Sequence, residues 1–553
     1  MPGLLTDALA ALGVALRADV NALEIILLLG VMLAVRRGWM GSPRAWRPAF
    51  RPATAVATVA LLAVGLRLAL LPALHVPHPG GSDEFSHVLL GDTLAHGRLT
   101  NPAHPMWVHF ETRHVLHQPT YNSMYFPGQG LFLAFGQALF GEPWVGVLLS
   151  TAALCGALTW MLLGWFPASW ALAGGLLAIL RIGLTSYWVN SFWGGSIAAL
   201  GGALALGACA RLARARRVSH ALLLAAGLVL MALTRPFEGL AFSLPLAVWL
   251  LVKCRARLWR IAVPVALVLG LAGAGLAVYF RAVTGSATLL PYQVNQRTYG
   301  WPMTLAWQDP PQVEHRHKEL RDYYQWELAE HQRLKAPGAA AVELLRKGVL
   351  LWSFFLGPAL TFALLAAPAS LGSRKPRLAL WAGGATLAAT LLEQSSYPHY
   401  VSPATGVIYV LVVNALRYLA RHRPGGAKLA RAVFAIVVAA VAFRLAARPL
   451  GVPLMGPQRQ MSWCCASPAP NDRWPFERQL RATPGRHLVL VRYGPSNRMR
   501  LEWVYNEAGI DASKIVWARD LGEAANRELL AYYPDRRVWL GEPDAVPPRV
   551  RPY

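Results

Sequence analysis

Two adjacent carboxylates, Asp83 and Glu84, are the residues best suited to chemistry. They lie within Gly81-Ser-Asp-Glu-Phe-Ser-His87, soon after an apolar block. Carboxylates at a membrane boundary are costly unless they are solvated, paired or used, and one of them can accept a proton from an attacking hydroxyl. The structural alternative places both acids in the first turn of a surface helix, with Ser82 or Asp83 as its N-cap, because the helix dipole favours negative charge there.

Further groups that can bind a sugar follow the acids in the same segment. His87, His104, Tyr125 and Gln129 supply imidazole, phenol and amide groups. Rings at a membrane interface also act as anchors, and scattered histidines are often merely exposed. An aromatic segment rich in hydrogen-bonding groups beside paired acids is nevertheless what a sugar site requires. We therefore predict that these four residues bind substrate.

Two later segments add charged and aromatic groups at helix ends. Arg235 and Glu238 are three residues apart, so they either form an ion pair that closes a tight turn or leave Arg235 to grip a lipid phosphate. Tyr397 and His399 lie in Glu393-Gln-Ser-Ser-Tyr-Pro-His-Tyr400, where packing or anchoring is the alternative to binding. We predict substrate contacts for all four side chains.

No cofactor is assigned from the sequence. A divalent cation is compatible with the carboxylate pair, but one pair with stray histidines does not define a coordination shell. Cys155, Cys209 and Cys254 lie in or beside apolar blocks, and no metal-ligand spacing appears among the cysteines. The adjacent Cys464 and Cys465 fit a strained disulfide, a bond to another chain or two ordinary thiols.

Membrane helices are the elements that must position these residues. Of the 553 residues, 55% are hydrophobic and only 15% are charged. The apolar residues form continuous blocks near the roughly 20 residues that a helix needs to cross a bilayer, which favours helices over strands. The short piece 128–141 is predicted to be re-entrant or interfacial. The spans are predicted near 20–35, 53–75, 142–165, 168–188, 194–210, 219–235, 239–252, 261–281, 347–367, 378–392, 403–420 and 431–447.

The net charge of +25 predicts the orientation of these helices. The basic residues cluster in short loops of the kind that stay cytoplasmic, which argues against nucleic-acid binding. We therefore expect a multi-pass protein of the inner (plasma) membrane, with segments 75–127 and 282–346 and the carboxyl terminus on the extracytoplasmic side. The apolar stretch near Ala22 is predicted to be a retained helix and not a cleaved signal.

The chain is predicted to divide into a membrane domain, 1–447, and an extracytoplasmic α/β domain, 448–553. Strand-like runs at 487–493, 515–519 and 537–540 alternate with helical stretches near 500–508 and 523–532, which suggests a small parallel sheet. The charged stretch 314–335 in the second external segment has helical spacing and is predicted to be mainly a solvated helix. The fold class is thus an α-helical polytopic protein of about 12 spans with a small α/β domain.

The pattern resembles integral-membrane glycosyltransferases of the GT-C fold, particularly the branch with protein O-mannosyltransferases and lipid A aminoarabinose transferases. Asp83-Glu84, the run from His96 to Pro105 and Tyr125-Phe-Pro-Gly-Gln-Gly130 carry the resemblance. An acidic pair in the first large external loop is a hallmark of that family. The resemblance therefore implies catalytic importance for Asp83 and Glu84 and a polyprenyl-phosphate sugar as donor. Phe85-Ser86-His87 replaces an aromatic run common in the family, and the C-terminal domain matches none of its tails.

The sequence-based hypothesis is sugar transfer from a polyprenyl-phosphate donor to an extracytoplasmic glycan, lipid or protein. Asp83 acts as general base, Glu84 orients the acceptor or neighbouring groups, and Arg235 with His399 or Tyr397 stabilises the leaving phosphate. One alternative is a transporter or flippase, which would place ionisable residues at mid-membrane depth and often has related halves. Another is a non-catalytic envelope scaffold, which would tolerate mutation of both acids.

Overall fold

The computed structural model describes residues 19–39, 51–215, 217–300, 305, 308–309, 311–335, 338–370, 377–394, 397–447, 449–451, 473–494 and 502–553. Cys464 and Cys465 lie outside these residues. Cys155, Cys209 and Cys254 are buried free thiols.

Helices dominate the first 447 residues. Their bounds are α1 (Asp19–Arg36), α2 (Pro52–Ala69), α3 (Ser82–Ala95), α4 (Trp107–Phe110), α5 (Pro127–Phe140), α6 (Pro143–Leu163), α7 (Ala168–Ala178, continued by a π turn at Ile179–Gly183), α8 (Ser196–Leu212), α9 (Val218–Ala232), α10 (Pro236–Cys254), α11 (Trp259–Thr284), α12 (Pro291–Tyr299), α13 (Lys318–Leu334), α14 (Ala339–Phe355), α15 (Gly357–Ala366), α16 (Arg377–Leu391), α17 (Thr405–His422) and α18 (Gly426–Ala447).

Six helices in the described residues are long and apolar enough to cross a membrane, or seven if the bent pair α14 and α15 is one span. Three further apolar segments, Ala168–Gly183, Ser196–Leu212 and Val218–Ala232, are shorter. A helix also forms in every predicted apolar block. The prediction of a mostly helical polytopic protein is therefore confirmed, and the count of about 12 spans stays a prediction.

The predicted single helix over 347–367 is wrong, because α14 and α15 meet at an angle of 92°. Gly357 at the break has φ +58°, a left-handed conformation that favours glycine. The broken ends have partners: Glu24 accepts a hydrogen bond from the Ala359 amide at 2.9 Å, and Arg181 donates to the Phe354 carbonyl at 3.1 Å. Arg181 and Glu24 also form an ion pair at 3.2 Å, so the break is held by two other helices.

The surface helix α3 begins as a capping box. Its N-cap is Gly81, and the prediction of Ser82 or Asp83 there is wrong. Glu84 explains the difference, because its carboxylate reaches back to the Gly81 amide at 3.1 Å and so satisfies a free N–H group at the helix start.

Close contact between α3 and α5 fixes the position of the acids. Gly130 of α5 lies against Leu90, where a Cβ atom would come within 2.4 Å of the Leu90 side chain. Pro127 begins α5 and Gly141 ends it with φ +71°, which is the usual asymmetry of helix starts and stops. The outer face of α5 exposes Leu131, Phe135 and Leu139.

The carboxyl-terminal part folds into a mixed sheet. Its elements are α19 (Arg473–Ala482), β4 (Arg486–Val491), β5 (Ile515–Arg519), α20 (Glu523–Tyr532), β6 (Arg536–Glu542) and β7 (Arg549–Pro552). Three short strands, β1 (Asn101–Pro102), β2 (Val115–Leu116) and β3 (Thr120–Ser123), form a separate sheet in segment 75–127. The sheet order is β5-β4-β6-β7, with parallel pairing except for the antiparallel β7. The three predicted strands are present, but the parallel sheet gains an antiparallel edge.

The predicted helix near 500–508 is wrong over its described residues, 502–508, which form no helix. Glu502, Trp503, Val504 and Tyr505 are all buried, so four consecutive side chains are enclosed. A surface helix buries only one stripe of side chains, whereas an extended segment between packed layers can bury every residue.

The C-terminal domain packs directly on α3 and on other parts of segment 75–127. Leu89 and Phe110 share one hydrophobic cluster with Leu488 and Leu490 of β4. Phe85 of α3 also stacks on Tyr505, with ring centroids 4.3 Å apart. The helix that carries the acids is therefore enclosed between α5 and the C-terminal domain.

Candidate active site

Asp83 lies in the first turn of α3 and is held through one of its oxygens. The Tyr125 hydroxyl donates a hydrogen bond to Oδ1, and Nδ1 of His114 lies 3.5 Å from the same atom. Tyr125 Oη and His114 Nδ1 are themselves 3.1 Å apart, so the three groups form a closed triangle. The Asp83 side chain is 26% exposed, and its Oδ2 has no hydrogen-bond partner in the described part of the chain. One oxygen is thus fixed and the other can receive a substrate hydroxyl.

The surroundings of Asp83 keep it ionised. Burial by itself raises the pKa of this carboxyl group, but the charge and hydrogen bond of His114 and the hydrogen bond of Tyr125 outweigh burial. The pKa of Asp83 therefore lies well below its ordinary value. The carboxylate is available at neutral pH, and a positive charge on His114 would weaken it as a base.

His87 follows Asp83 by one helical turn and faces the same side of α3. Its ring stacks on Tyr125 with centroids 4.4 Å apart. Burial lowers the pKa of His87 to about 3, so the ring is neutral at physiological pH. Nδ1 is buried without a hydrogen-bond partner among the described residues. A neutral imidazole with an unused nitrogen, 8% exposed, is suited to bind a hydroxyl group.

Glu84 has a different environment from Asp83. Its Oε2 accepts hydrogen bonds from the amides of Gly80 at 3.0 Å and Gly81 at 3.1 Å, and its Oε1 accepts one from the Phe192 amide at 2.8 Å. Gln129 donates to the Phe192 carbonyl at 3.3 Å. The two side chains therefore tie the start of α3 and the start of α5 to the segment around Phe192.

Arg235 caps the amino end of α10 and supplies the positive charge of the site. Its Nη1 lies 3.8 Å from Glu238 Oε1, which is an ion pair at a distance longer than a hydrogen bond. Its guanidinium carbon lies 4.1 Å from the centroid of the Tyr400 ring. The predicted turn-closing ion pair is present, and the cation also rests on an aromatic face.

His399 lies close enough to both Arg235 and Asp83 for the charge of each to act on its ring. Burial lowers the pKa of His399 well below its ordinary value, the charge of Arg235 lowers it further, and the charge of Asp83 acts in the opposite direction. Nδ1 of His399 bonds to the Tyr187 hydroxyl at 2.9 Å, and Tyr397 stacks on the His399 ring. The acid, the guanidinium and these rings therefore border one polar, aromatic region.

His104 is separate from this region. Its Nε2 lies 2.9 Å from Asp511 Oδ1 and 3.2 Å from the Tyr533 hydroxyl, both in the C-terminal domain. The other predicted site residues lie on α3, at the start of α5, at the start of α10 or between α16 and α17. His104 is placed at the contact between the first external segment and the C-terminal domain.

Three residues near Asp83 were not singled out from the sequence: His114, which contacts it, and Tyr323 and Glu327, which are linked to it through His114. Nothing in the sequence separates His114 from its neighbouring histidines. Only the structure does so, because His114 has a φ of +60°, a strained conformation for a residue other than glycine. Tyr323 and Glu327 are four residues apart on α13, a spacing that places them on one face, but the stretch was predicted to be mainly a solvated helix.

A metal site is not defined by the described residues. Among them, no group of three His, Cys, Asp or Glu side chains is placed to hold a metal ion. The contacts of Asp83 are instead with a phenol and an imidazole.

No family model matches this sequence, and no curated protein matches it. Structural comparison finds ArnT from Cupriavidus metallidurans in the apo state, with 15% identity and a TM-score of 0.46 over 88% of this chain and 93% of that one. ArnT bound to undecaprenyl phosphate matches with 15% identity and a TM-score of 0.46, over 88% and 92%. The archaeal oligosaccharyltransferase AglB from Archaeoglobus fulgidus, in complex with an inhibitory peptide and a dolichol-phosphate, matches with 12% identity and a TM-score of 0.45, over 90% and 70%. Over most of its length this chain is similar in structure to ArnT and AglB.

Proposed function

We propose that this protein is a membrane glycosyltransferase that moves a sugar from a polyprenyl-phosphate donor to an acceptor hydroxyl at the extracytoplasmic face. The observation that carries the proposal is the shared region bordered by Asp83 and Arg235. A fixed carboxylate suits the acceptor proton, and a guanidinium suits a phosphate. Rings of His399, Tyr397 and Tyr400 around them suit a sugar between the two charges.

The proposed reaction is an inverting displacement. The acceptor oxygen bonds to the anomeric carbon while the bond from that carbon to the phosphate oxygen breaks, and the bonding electrons leave with the lipid phosphate. Asp83 takes the acceptor proton through Oδ2. The lipid phosphate is stable as an anion and needs no acid, so Arg235 stabilises its charge instead.

Neighbouring residues take supporting roles in this proposal. His87 binds a substrate hydroxyl through Nδ1, and Tyr125 orients Asp83. Glu84 and Gln129 are positioning residues, because their contacts are with backbone groups that hold α3 and α5 in place. Glu238 orients Arg235. His104 joins the first external segment to the C-terminal domain.

The orientation in the membrane belongs to the same proposal. The short arginine-rich loops face the cytoplasm of an inner-membrane protein with about 12 spans. The site, the segments 75–127 and 282–346 and the C-terminal domain then face the other side. The donor reaches Arg235 from the outer leaflet, and the acceptor enters from water.

The transporter alternative gains no support from the buried ionisable pair in the helical body. Glu24 and Arg181 do form an ion pair there. Both also bond to backbone groups at the break between α14 and α15, which is a structural use of the two charges.

The experiment separates donor binding from chemistry. Purified protein in liposomes is given a panel of polyprenyl-phosphate hexoses and pentoses, and binding of polyprenyl phosphate is measured beside sugar transfer. Arg235→Gln is expected to weaken polyprenyl-phosphate binding at least tenfold, since a charge-assisted bidentate contact is lost. Asp83→Asn is expected to keep binding and lose transfer.

Arg297→Gln, an exposed arginine on α12, is the matched control and should leave both quantities unchanged. Equal polyprenyl-phosphate affinity in Arg235→Gln and the unmodified protein contradicts the role of Arg235. Transfer by none of the donors in the panel, with bound polyprenyl phosphate present, contradicts the proposed activity.

A further inference from the structure

A chain of hydrogen bonds extends from Asp83 to the second external segment. His114, which contacts Asp83 through Nδ1, has its Nε2 3.2 Å from the Tyr323 hydroxyl. Tyr323 donates in turn to Glu327 Oε1 at 3.0 Å. His114 is buried and Glu327 is half-buried. The proposed base is thus linked through two side chains to a second carboxylate on α13.

The hydrogen bonds between His114, Tyr323 and Glu327 can all be formed with two different placements of the protons. In the first, His114 is a cation, its Nε2–H donates to Tyr323, and Tyr323 donates to an ionised Glu327. In the second, Tyr323 donates to Nε2 of a neutral His114, and a protonated Glu327 donates to Tyr323. One proton leaves His114, the Tyr323 hydroxyl exchanges its own proton, and one proton arrives at Glu327. No hydrogen bond is lost in either arrangement.

The two arrangements differ in the charge beside Asp83. The cation on His114 is the main influence that holds the pKa of Asp83 down against burial. In the second arrangement that cation is gone, so Asp83 is a stronger base. Burial raises the pKa of Glu327, partly offset by His114 and Tyr323, and so favours a proton there.

Other charges near the chain act on the same balance. The guanidinium carbon of Arg113 lies 4.3 Å from the centroid of the Tyr323 ring, so a fixed positive charge opposes a second cation at His114. The titratable and charged groups that face His114 or Glu327 come from several elements: Asp83 and His87 from α3, Arg113 and Tyr125 from the first external segment, Tyr323, Tyr324 and Glu330 from α13, and Tyr397 from the segment before α17.

We propose that Tyr323 and Glu327 act as a proton reservoir that sets the base strength of Asp83 through His114. The reservoir rests on the proposed function, because it matters for turnover only if Asp83 accepts the acceptor proton. Tyr323 and Glu327 are positioning residues in this role, since neither contacts Asp83 directly. The second external segment thereby controls the chemistry of the first.

The first measurement does not depend on activity. The protein is labelled with ¹⁵N-histidine, the His114 signal is assigned with His114→Gln, and its titration is followed by NMR in micelles. Interacting groups lose their protons in two macroscopic steps, so His114 should titrate in two steps in the unmodified protein. Glu327→Gln should leave a single step, because only one titrating member of the pair remains.

The second measurement is the pH dependence of kcat for sugar transfer. If Tyr323 and Glu327 act as a reservoir, His114 and Glu327 together hold a constant number of protons over a broad pH range near neutrality. We therefore expect kcat to be independent of pH in that range. Glu327→Gln should lower kcat about tenfold at low pH, with unchanged KM and recovery toward alkaline pH. Tyr323→Phe keeps the ring on Arg113 but breaks the link to Glu327, so it should lower kcat about tenfold at low pH with the same recovery toward alkaline pH. Asp322→Asn, a half-buried neighbour on α13 whose carboxylate faces Lys318, is the control and should match the unmodified protein.

The outcomes separate the two proposals. An unchanged His114 titration in Glu327→Gln, or a kcat profile parallel to that of the unmodified protein, overturns the reservoir even when transfer is active. A two-step titration in a protein that transfers no sugar supports the hydrogen-bonded pair, overturns its role in turnover and refutes the proposed function.

Discussion

Asp83 and Asp92 are two aspartates on the same helix with opposite surroundings. Asp83 faces the aromatic region of Arg235, with one oxygen held by Tyr125 and His114. Asp92 lies between α5 and the C-terminal domain: Oδ1 accepts a hydrogen bond from Gln137 of α5 and Oδ2 accepts one from the Ala508 amide of the C-terminal domain, each at 2.7 Å.

The difference separates a reactive carboxylate from a structural one. Both oxygens of Asp92 are occupied by neutral donors that belong to the fold, whereas Asp83 keeps an oxygen without a partner in the described residues. The two aspartates are nine positions apart and project from opposite sides of α3. One side of α3 therefore presents Asp83 to the candidate active site. The opposite side, with Phe85 and Asp92, is the docking face, which contacts the C-terminal domain.

Removal of the C-terminal domain is expected to have the largest effect on this arrangement. Truncation before Arg473 uncovers Phe85, Leu89 and Asp92 of α3 together. We predict that transfer is lost and that the amides of α3 exchange hydrogen with solvent much faster, measured by mass spectrometry. A truncated protein with normal exchange in α3 and full activity would show that the two faces are independent.

Glu84→Ala is expected to have the next largest effect. It leaves the amides of Gly80, Gly81 and Phe192 without their acceptor, at a cost of about 1 kcal/mol for each bond, or roughly 3 kcal/mol in all. Thermal unfolding in detergent measures the loss. If Glu84 is a positioning residue, the remaining folded protein keeps its KM, whereas normal stability with lost turnover would indicate direct catalysis.

The contributions of Asp83 and Glu393 to the free energy of unfolding should change with pH in opposite directions. Burial and the neighbouring Glu238 raise the pKa of Glu393, which lies next to the site. An acid whose pKa is raised on folding loses stability as pH rises above its unfolded value. At pH 8, Glu393→Gln is therefore expected to have an unfolding free energy at least about 1 kcal/mol higher than that of the unmodified protein, seen as a higher unfolding temperature. Near pH 4.5 the variant should show no gain in stability.

Asp83 provides the contrast, because its pKa is lowered on folding. The stability that its ionised form contributes is fully present above the unfolded pKa and is lost as pH falls through the folded value. We expect the difference in unfolding free energy between the unmodified protein and Asp83→Asn to be constant from pH 5 to 8 and to shrink below about pH 4. A difference that changes between pH 6 and 8 would contradict a permanently ionised Asp83.

A substitution on the side of α3 that packs on the C-terminal domain is expected to have the smallest effect. Phe85→Leu removes the stack on Tyr505 while keeping an apolar side chain, so we expect a loss of about 0.5–1.5 kcal/mol. Sugar transfer per folded molecule should not change. A strong loss of kcat without a loss of stability would show that this side of α3 also contributes to the active site.

The helices and the acidic pair were predictable from the sequence, because both are local signals. Continuous apolar blocks give the helices, and Asp83-Glu84 is visible as a pair. The break at Gly357 was not predictable, because Glu24 and Arg181 hold it from distant parts of the chain. The enclosed segment around Trp503 was predicted as a helix, because burial by two neighbouring layers leaves no local signature.

The division of roles in the site was also beyond the sequence. Asp83 and Glu84 are adjacent, and only the backbone amides around Glu84 distinguish a carboxylate with three structural partners from one with an open oxygen. His114 comes from segment 75–127 and Tyr323 and Glu327 come from segment 282–346, so their linkage to Asp83 depends on tertiary structure.

A single-turnover comparison of Asp83→Asn with Asp92→Asn tests the central claim most directly. Both variants replace one aspartate of α3, and both are compared per folded molecule in liposomes loaded with a polyprenyl-phosphate sugar. We predict that Asp83→Asn slows transfer at least 100-fold, as expected for a lost general base, and that Asp92→Asn stays within about threefold of the unmodified protein. Equal rates in the two variants would contradict the assignment of Asp83 as the base.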